Sequence, residues 1–427
     1  MTTEALYTYF KETDGVSTDT RHVCYNRIFF CLSGENFNGN TFAKKALEQG
    51  ARFVIGDDQN VLPKDERVIV VEDSLTTLQQ LAAHHREQFN IPVIAITGSN
   101  GKTTTKELFY QVLSQQYEVI ATKGNLNNHI GVPLTLLNIH QETTLAIIEM
   151  GANHQKEIAA LAKVAQPTHG YITNFGKAHL EGFGGIEGVV KGKSELYDAL
   201  RATEGTVLVD HGNLKQIERS NGIKRFTFGD NKVASFSIKA GTNDNGFCYA
   251  QWEEHVAHSQ LTGQYNQTNI TAAIAMGQLM GVSAQNIIRG ITHYRPNNNR
   301  SQWQKTEKNT LLLDAYNANP SSMEAAIQAF DIHPSTAKGV ILGDMLELGP
   351  YTAKEHQKVV DVLQTKAWSP IYLVGQHFMQ TNRNENQLAF STLAAVKKHL
   401  EENPIQNQTL LIKGSRGIAL EQLLDVL

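Results

Sequence analysis

The stretch Val93–Glu107, VIAITGSNGKTTTKE, decides the fold of this chain. Four apolar residues typical of a strand, Val93 to Ile96, lead into a small polar loop that ends at Gly101, and Lys102 then begins a threonine-rich helix. The first N–H groups of a helix lack internal partners and its dipole is positive at that end, so the loop can wrap a phosphate. The order strand, loop, helix therefore predicts an ATP phosphate site. The motif is the shortened G-x-x-G-K-T, because Ile96 stands where the full motif has its first glycine.

Each residue type in this loop suits nucleotide binding. The glycines let the backbone approach the phosphates, the lysine can reach a β- or γ-phosphate, and the first threonine hydroxyl can join a Mg²⁺ shell. The alternative is a glycine-rich turn with a surface lysine, but the flanking strand and helix favour the nucleotide site. The predicted nucleotide-binding residues of the loop are Gly98, Ser99, Asn100, Gly101, Lys102, Thr103 and Thr104.

The composition is typical of a soluble globular protein with about two to four domains. Of 427 residues, 41% are hydrophobic and 19% are charged, and no apolar run approaches the length of a membrane span. The net charge of −4 gives no basic surface for nucleic acid. The start, MTTEALYTYFKETDG, lacks a basic segment followed by an apolar one, which predicts no export. The three scattered cysteines suit free thiols in a reducing cytoplasm.

Strands that alternate with helices predict an α/β protein with largely parallel sheets. One boundary is expected within residues 82–91, and the run THYRPNNNRSQW, with Pro296 followed by three asparagines, places another near 297. We therefore predict domains at 1–85, 86–297 and 298–427, the last resembling a dinucleotide-binding fold without its G-x-G-x-x-G. Residues 205–262 are predicted to extend the central sheet with antiparallel strands.

Ligands of parallel sheets lie beyond the carboxyl ends of the strands, which makes residues at strand ends informative. Glu149 ends the apolar strand TLAIIEM and is predicted to bind Mg²⁺, with a simple ion pair as the alternative. His179 follows the strand GYITNFG in a glycine-rich loop, although a lone histidine is as often structural. Lys191 and Lys193 lie in the next helical run, and either could contact substrate or take up CO₂ as a carbamate.

Polar residues elsewhere allow two interpretations each. Asn266 and Asn269 can contact a purine edge or serve as helix caps. In the first domain, the Asp19-Thr20-Arg21 triplet and the turn at 33–40 can hold a diphosphate. A solvated loop with a surface ion pair is the alternative, and the residues alone favour it.

Taken together, these landmarks resemble the Mur ligase family over nearly the whole chain. The resemblance rests on strings that occur in family order, including DTR, ITGSNGKTTTKE, EMGANHQKEIAAL, TNFGKAHLEGFGG, DAYNANPSSM, GDMLELG and LIKGSRG. It implies a three-domain architecture with a central phosphate-loop ATPase and a C-terminal Rossmann-like domain. It also implies a cytoplasmic, monomeric ligase of peptidoglycan precursor synthesis, with no nucleic-acid partner. The implied reaction uses ATP and two Mg²⁺ ions to join D-alanyl-D-alanine to UDP-N-acetylmuramoyl-tripeptide through an acyl phosphate.

The resemblance also assigns roles to individual positions. Lys102, Glu149, His179 and Lys193 match catalytic residues, and the metal ligands among the matches are Thr103, Glu149, His179 and Lys193, the last as a carbamylated lysine. Asn266 and Asn269 match adenine contacts. Arg300, Asp314 and Asn317 match nucleotide contacts across the domain boundary, and closure of the C-terminal domain over ATP is expected. The implied substrate residues are Asp19, Thr20, Arg21, Asn36, Asn125, Asn127 and Asn128.

Some features depart from the family pattern, and other functions remain open. Asn38 and Asn40 replace an aspartate and a histidine of the usual turn, which leaves the UDP-sugar contacts undetermined.

A sister amide ligase is one alternative, either one that adds the third residue or a folylpolyglutamate synthase; the D-N-P-R string of the lysine- or diaminopimelate-adding sister is absent. A nucleotide switch is another, but the GTPase string N-K-x-D is also absent. The third residue of the tripeptide is not indicated.

Overall fold

A computed structural model describes all 427 residues, and its strands form separate sheets that follow one another along the chain. The N-terminal unit holds four short parallel strands in the order β1-β2-β5-β6 and a two-stranded antiparallel ribbon, β3-β4. Its elements are α1 Thr3–Lys11, β1 Val16–Ser17, β2 Ile28–Phe30, β3 Ser33–Gly34, β4 Phe37–Asn38, α2 Ala43–Glu48, β5 Phe53–Gly56 and β6 Val68–Val70. The helix α3, Ser74–Glu87, begins at Asp73, whose carboxylate accepts a hydrogen bond from the N–H of Thr76.

The central unit is built on a seven-stranded parallel sheet in the order β13-β12-β11-β10-β7-β9-β8. Every residue of β7 is buried, as expected for a parallel strand covered by helices on both faces. The unit contains β7 Val93–Thr97, α4 Lys102–Leu113, β8 Val119–Ala121, α5 Gly131–Leu136, β9 Leu145–Glu149, α6 Glu157–Ala165, β10 His169–Ile172, α7 Leu180–Phe183, α8 Ile186–Ala202, β11 Thr206–Asp210, α9 Leu214–Arg219, β12 Lys224–Gly229, β13 Phe236–Ser237, β14 Lys239–Thr242, β15 Phe247–Trp252, β16 His255–Thr262, α10 Gln264–Leu279 and α11 Ala284–His293.

The prediction that residues 205–262 form an antiparallel extension of the central sheet is wrong. The strands β11, β12 and β13 continue that sheet in parallel. Only β14, β15 and β16 are antiparallel, and they form a separate three-stranded sheet that packs on α10 and α11. The short α9 between β11 and β12 supplies the crossover that a parallel pair requires.

The C-terminal unit is a six-stranded sheet in the order β17-β18-β22-β19-β20-β21, parallel except for the edge strand β17. Its elements are β17 Gln302–Lys305, β18 Thr310–Asp314, α12 Pro320–Asp331, β19 Lys338–Gly343, α13 Thr352–Gln364, β20 Ile371–Val374, α14 Gln376–Met379, β21 Gln387–Phe390, α15 Leu393–Glu402 and β22 Thr409–Lys413. This agrees with the expected α/β class.

The helix α3 joins the N-terminal and central units. It packs on α1 and also on α5 and α6, so the expected boundary at residue 85 lies in the last turn of a helix shared by both. The boundary near 297 lies between α11 and β17. The domain limits themselves stay predictions. None of the helices combines the length and the apolar character needed to cross a membrane.

Candidate nucleotide and ligase site

The phosphate loop, Gly98–Gly101, lies at the carboxyl end of the central strand β7 and leads directly into α4. Gly98 has φ +133°, and a Cβ there would lie 2.1 Å from the hydroxyl oxygen of Thr173. Gly101 has φ +82°, and its Cβ would lie 2.7 Å from the amide oxygen of Asn269. Both positions therefore require glycine, for backbone conformation and for space.

Lys102 begins α4 and folds back over the loop. Its Nζ donates to the carbonyl oxygens of Gly98, at 2.7 Å, and Ser99, at 3.2 Å. Burial lowers its pKa to about 8; the nearby Glu149 carboxylate opposes this shift, and the Arg300 guanidinium adds to it. At neutral pH the ammonium group is therefore still charged, and it faces the cavity in front of the loop.

Glu149 ends β9, the strand beside β7, and its side chain is almost fully buried. Its Oε1 accepts hydrogen bonds from Asn127 Nδ2, at 2.8 Å, and from Thr103 Oγ1, at 3.2 Å. Its Oε2 is buried without any partner. A buried carboxylate oxygen left unpaired next to a hydroxyl is a donor set that suits a hard cation such as Mg²⁺, so these residues fit the implied metal.

The two asparagines of α10 lie beside the phosphate loop and line the same cavity. Asn269 Nδ2 donates to Asn266 Oδ1 at 2.8 Å, and Asn266 Nδ2 donates to the carbonyl of Thr262 at 2.8 Å. The helix begins after Gly263 without a side-chain cap, so neither asparagine serves as a helix cap. Their amides form instead a buried polar wall of the cavity.

The C-terminal unit supplies the opposite wall. The Arg300 guanidinium stacks 3.8 Å from the ring centroid of Tyr316, and its Nε is buried without a partner. Asp314 Oδ1 accepts from the N–H of Ser301 at 3.2 Å, and its Oδ2 pairs with Lys413 Nζ at 2.5 Å. Arg300, Asp314 and Asn317, all predicted from the sequence, line the cavity together with the phosphate loop.

His179 also lines the cavity, just before α7. Its Nδ1 donates to the Glu347 carboxylate of the C-terminal unit. Lys193 lies deeper, in α8, where its Nζ donates to the carbonyl of Ala152 at 3.0 Å and lies 4.9 Å from the ring centroid of Phe183. Burial holds the pKa of Lys193 well below its ordinary value. Lys191, in contrast, is exposed. The structure therefore distinguishes the two lysines, which the sequence alone could not do.

The cavity has a volume of about 960 Å³ and is lined by residues of the central and C-terminal units and by Gln79 of α3. It brings together most of the predicted site: Ser99, Asn100, Gly101, Lys102, Thr103, Thr104, Asn125, Asn127, Asn128, Glu149, His179, Asn266, Asn269, Arg300, Asp314 and Asn317. Gly98 and Lys193 lie just behind the cavity. The carbonyl of Gly98 accepts from the lining residue Lys102, and Lys193 donates to the carbonyl of Ala152, which also lines the cavity.

The predicted substrate residues of the N-terminal unit lie apart from this cavity. Asp19 and Arg21 form an ion pair with 2.6 Å between Oδ2 and Nη2. Thr20, between them in the sequence, is buried, and Asn36 is exposed. The Arg21 guanidinium and N–H lower the pKa of Asp19 to about 2. The geometry matches the surface ion pair that the residues alone favour, and the UDP-binding role of these residues stays a prediction.

The two asparagines that depart from the family pattern hold the turn after β3 in place. Asn40 is buried; its Nδ2 donates to Asp57 Oδ1 at 2.8 Å, and its Oδ1 accepts from the N–H of Asp57 at 3.0 Å. Asn38 Oδ1 accepts from the N–H of Asn40 at 2.9 Å. The amides therefore join the turn to the end of β5.

Sequence reasoning missed several lining residues. Lys413 pairs with Asp314 across adjacent parallel strands, and Asn174 holds the backbone of Asn100 by accepting at 3.2 Å and donating at 3.0 Å. Asn319 Nδ2 donates to Asn100 Oδ1 at 2.7 Å and so joins the C-terminal unit to the phosphate loop. One available signal was that Lys413 and Asn174 both follow or end apolar strands, where ligands of parallel sheets gather.

The chain is similar to known proteins over nearly all of its length. Three family models match: the Mur ligase family catalytic domain at residues 12–86, the Mur ligase middle domain at 96–277, and the Mur ligase glutamate ligase domain at 299–416. The UDP-N-acetylmuramoyl-tripeptide–D-alanyl-D-alanine ligase of Bacillus subtilis is 33% identical over 425 residues, which are 96% of this chain and 92% of that protein.

Solved structures show the same fold. MurF from Acinetobacter baumannii is 29% identical with a TM-score of 0.85, and the match covers 99% of this chain and 98% of that one. MurF ligase from Thermotoga maritima in complex with ADP is 24% identical with a TM-score of 0.85, over 97% of each chain. The three family models together match most of the chain between residues 12 and 416. This chain belongs to the Mur ligase family.

Proposed function

We propose that this protein is an ATP-dependent amide ligase that joins D-alanyl-D-alanine to UDP-N-acetylmuramoyl-tripeptide, forming the UDP-linked pentapeptide, ADP and phosphate. One observation carries the proposal: the buried Glu149 carboxylate accepts from Thr103 through Oε1 and keeps Oε2 unpartnered, and it lines, with Lys102, a cavity that the C-terminal unit closes with Arg300 and Asp314. The name of the Bacillus subtilis relative supports the choice of substrates.

The chemistry needs an activated acid, because a carboxylate oxygen is a poor leaving group. In the first step the tripeptide carboxylate attacks the γ-phosphate, the bond to the β-phosphate oxygen breaks, and an acyl phosphate and ADP form. In the second step the dipeptide amine attacks the acyl carbon, phosphate leaves and the amine loses a proton. Catalysis of both steps depends mainly on positioning and on charge stabilisation.

The phosphate loop supplies the first part of this positioning. The N-terminal N–H groups of α4 and the Lys102 ammonium group hold the β- and γ-phosphates. Thr103 and Glu149 would hold Mg²⁺, with His179 nearby, and the ion would neutralise charge on the transferred phosphoryl group. The Glu149 carboxylate is pre-oriented, because Asn127 and Thr103 both donate to its Oε1 and leave Oε2 free.

The nucleoside part of ATP fits between the central and C-terminal units. Asn266 and Asn269 offer amide groups to the adenine edge, and Asp314, held by Lys413, faces the ribose hydroxyls. Arg300 is pre-oriented by stacking on Tyr316 and can contact the phosphates. The relative from Thermotoga maritima, whose structure contains ADP, supports a nucleotide in this fold.

The acceptor side is assigned by resemblance. Asn125, Asn127 and Asn128 line the cavity next to Glu149 and would face the peptide, and Asp19, Thr20, Arg21 and Asn36 would bind the UDP end.

Lys193 is proposed as a carbamate, for which the neutral amine is the reactive form; the depressed pKa of this buried side chain favours that form. A ¹³C resonance from protein equilibrated with labelled bicarbonate, lost in Lys193→Met, checks this. The proposal includes a monomeric enzyme in the cytoplasm.

The test is phosphate release by the full chain with ATP, Mg²⁺ and UDP-N-acetylmuramoyl-tripeptide, with each candidate amine added in turn. We expect release with D-alanyl-D-alanine alone among the amines, and almost complete loss in Lys102→Ala. Lys191→Ala is the matched control, because Lys191 is an exposed lysine outside the cavity.

Other outcomes would assign another function. Release that depends on a single amino acid instead of the dipeptide would indicate a sister ligase. Release without any amine dependence would indicate a nucleotide switch. Unchanged turnover in Lys102→Ala would refute the phosphate site.

A further inference from the structure

The segment Asp344–Gly349, which follows β19 in the C-terminal unit, has a backbone fixed by side chains from elsewhere. The Asp344 carboxylate accepts from two N–H groups at the start of α14, at 2.9 and 3.0 Å. The N–H of Met345 donates to His356 Nε2 at 3.0 Å, and the N–H of Leu346 donates to Ser415 Oγ at 3.0 Å. Consecutive residues are thus anchored just before Glu347.

Glu347 itself has a left-handed backbone conformation, with φ +62°. That conformation is unfavourable for a residue with a Cβ, and it recurs at functional sites where the surrounding structure imposes it. The side chain is 56% exposed, so burial does not explain the strain. Its carboxylate reaches across to the central unit and accepts from Nδ1 of His179.

The backbone supports the same contact. The carbonyl of Glu347 accepts from the N–H of Glu181 at 3.4 Å, and a Cβ at Gly349 would lie 3.2 Å from the Glu181 side chain. The segment therefore lies directly against the first turn of α7, next to His179. Because His179 lines the nucleotide cavity and Glu347 does not, the carboxylate approaches the imidazole from outside the cavity.

This geometry has a chemical consequence. A carboxylate can only accept, so it fixes the neutral imidazole as the tautomer with hydrogen on Nδ1 and a lone pair on Nε2. A partner of this kind also fixes the orientation of the ring, and its loss typically weakens the site it supports. We propose that Glu347 is a positioning residue that orients His179 toward the nucleotide cavity, so that the C-terminal unit completes the site when it docks. The importance of His179 for turnover rests on the proposed function above.

The backbone strain makes a sharp test possible. Glycine tolerates the left-handed conformation, so Glu347→Gly removes the carboxylate and relieves strain together. We expect a thermal midpoint equal to or above that of the wild type and a kcat lower by about 10- to 100-fold, with KM for ATP nearly unchanged. Glu347→Gln, which keeps an acceptor oxygen, should recover part of the loss.

The matched control is Glu204→Gly. Glu204 is an exposed glutamate with φ +55°, outside the cavity, so its replacement relieves comparable strain without touching His179. It should match the stability of Glu347→Gly and keep wild-type kcat. Equal kcat in both variants would overturn the proposal, as would a Glu347→Gly variant that loses thermal stability together with activity.

A second readout does not depend on catalysis. ¹⁵N-detected imidazole spectra of the protein with ADP bound, so that the two units are docked, report which nitrogen carries hydrogen when they are recorded where the ring is neutral. His179 is assigned by the resonance lost in His179→Gln. We expect the Nδ1–H tautomer in the wild type and a mixture in Glu347→Gly. An Nε2–H tautomer in the wild type would overturn the proposal even if the ligase assay succeeds, and the expected spectra would support it even if that assay fails.

Discussion

At the scale of single residues, Lys102 links nucleotide binding to pH. Its pKa of about 8 lies below the ordinary lysine value, because burial disfavours the charged form. The ammonium group is therefore charged below about pH 8 and neutral above it. We predict that ADP affinity, measured by calorimetry, falls as pH rises through about 8, since the phosphates then lose their cation.

The matched variant for this prediction is Lys102→Arg, because a guanidinium stays protonated throughout this range. Its ADP affinity is expected to be weaker than that of the wild type but nearly independent of pH. If the two proteins lose affinity in parallel as pH rises, a different group titrates and the role given to Lys102 is wrong.

Residues at strand ends were the part of the site that the sequence could predict. Glu149 was located because an apolar strand ends at it, and the structure places it beside the phosphate loop. Lys191 and Lys193 could not be separated, because both lie in one helical run and only the packing of α8 buries the second. Lys413 was missed because its pairing with Asp314 depends on the register of two strands far apart in the chain.

At the scale of elements, the unit formed by β7, the phosphate loop and α4 depends on a close approach to β10. The backbone of Gly98 leaves no room for a Cβ, since Thr173, just after β10, lies 2.1 Å from its ideal position through Oγ1 and 2.9 Å through N. Backbone atoms cannot move aside as a flexible side chain can. We predict that Gly98→Ala displaces the loop and abolishes ADP binding in calorimetry.

Gly281→Ala is the matched control for that variant. Gly281 also has positive φ, at +73°, but nothing lies within 4 Å of its ideal Cβ position, and it is outside the cavity. Its replacement should cost only the backbone strain, about 1 kcal/mol, and leave ADP binding intact. Equal ADP affinity in Gly98→Ala and the wild type would contradict the close-approach argument.

The sheet prediction failed at one group of elements for a physical reason. Strand residues in 205–262 show where strands begin and end, but a strand's direction depends on the connection that precedes it. The helix α9, Leu214–Arg219, is only six residues long, too short to give a clear periodic signal, so the sequence predicts no crossover and an antiparallel pair for β11 and β12. The last strands of the region, β14, β15 and β16, do pair in antiparallel fashion.

At the scale of the whole molecule, a few polar contacts hold the C-terminal unit against the phosphate loop. Besides the pair of Asn100 and Asn319, the N–H of Lys177 donates to Ser321 Oγ at 2.9 Å, and its Nζ pairs with Glu355 at 3.1 Å. An ion pair with a half-exposed lysine contributes about 0–1 kcal/mol. We therefore expect a ligand that contacts both units to strengthen the docked arrangement, as a nucleotide between Lys102 and Arg300 would.

We predict that the protein becomes more compact in small-angle scattering when an ATP analogue and the UDP-linked substrate are added. Lys177→Ala should increase the radius of gyration of the ligand-free protein, because it removes a contact between units. Lys358→Ala is the control, since Lys358 pairs with the same Glu355 at 2.9 Å but within the C-terminal unit. A radius of gyration unaffected by ligands would show that docking is permanent, and equal effects of the two lysine variants would show that the Lys177 pair does not hold the units together.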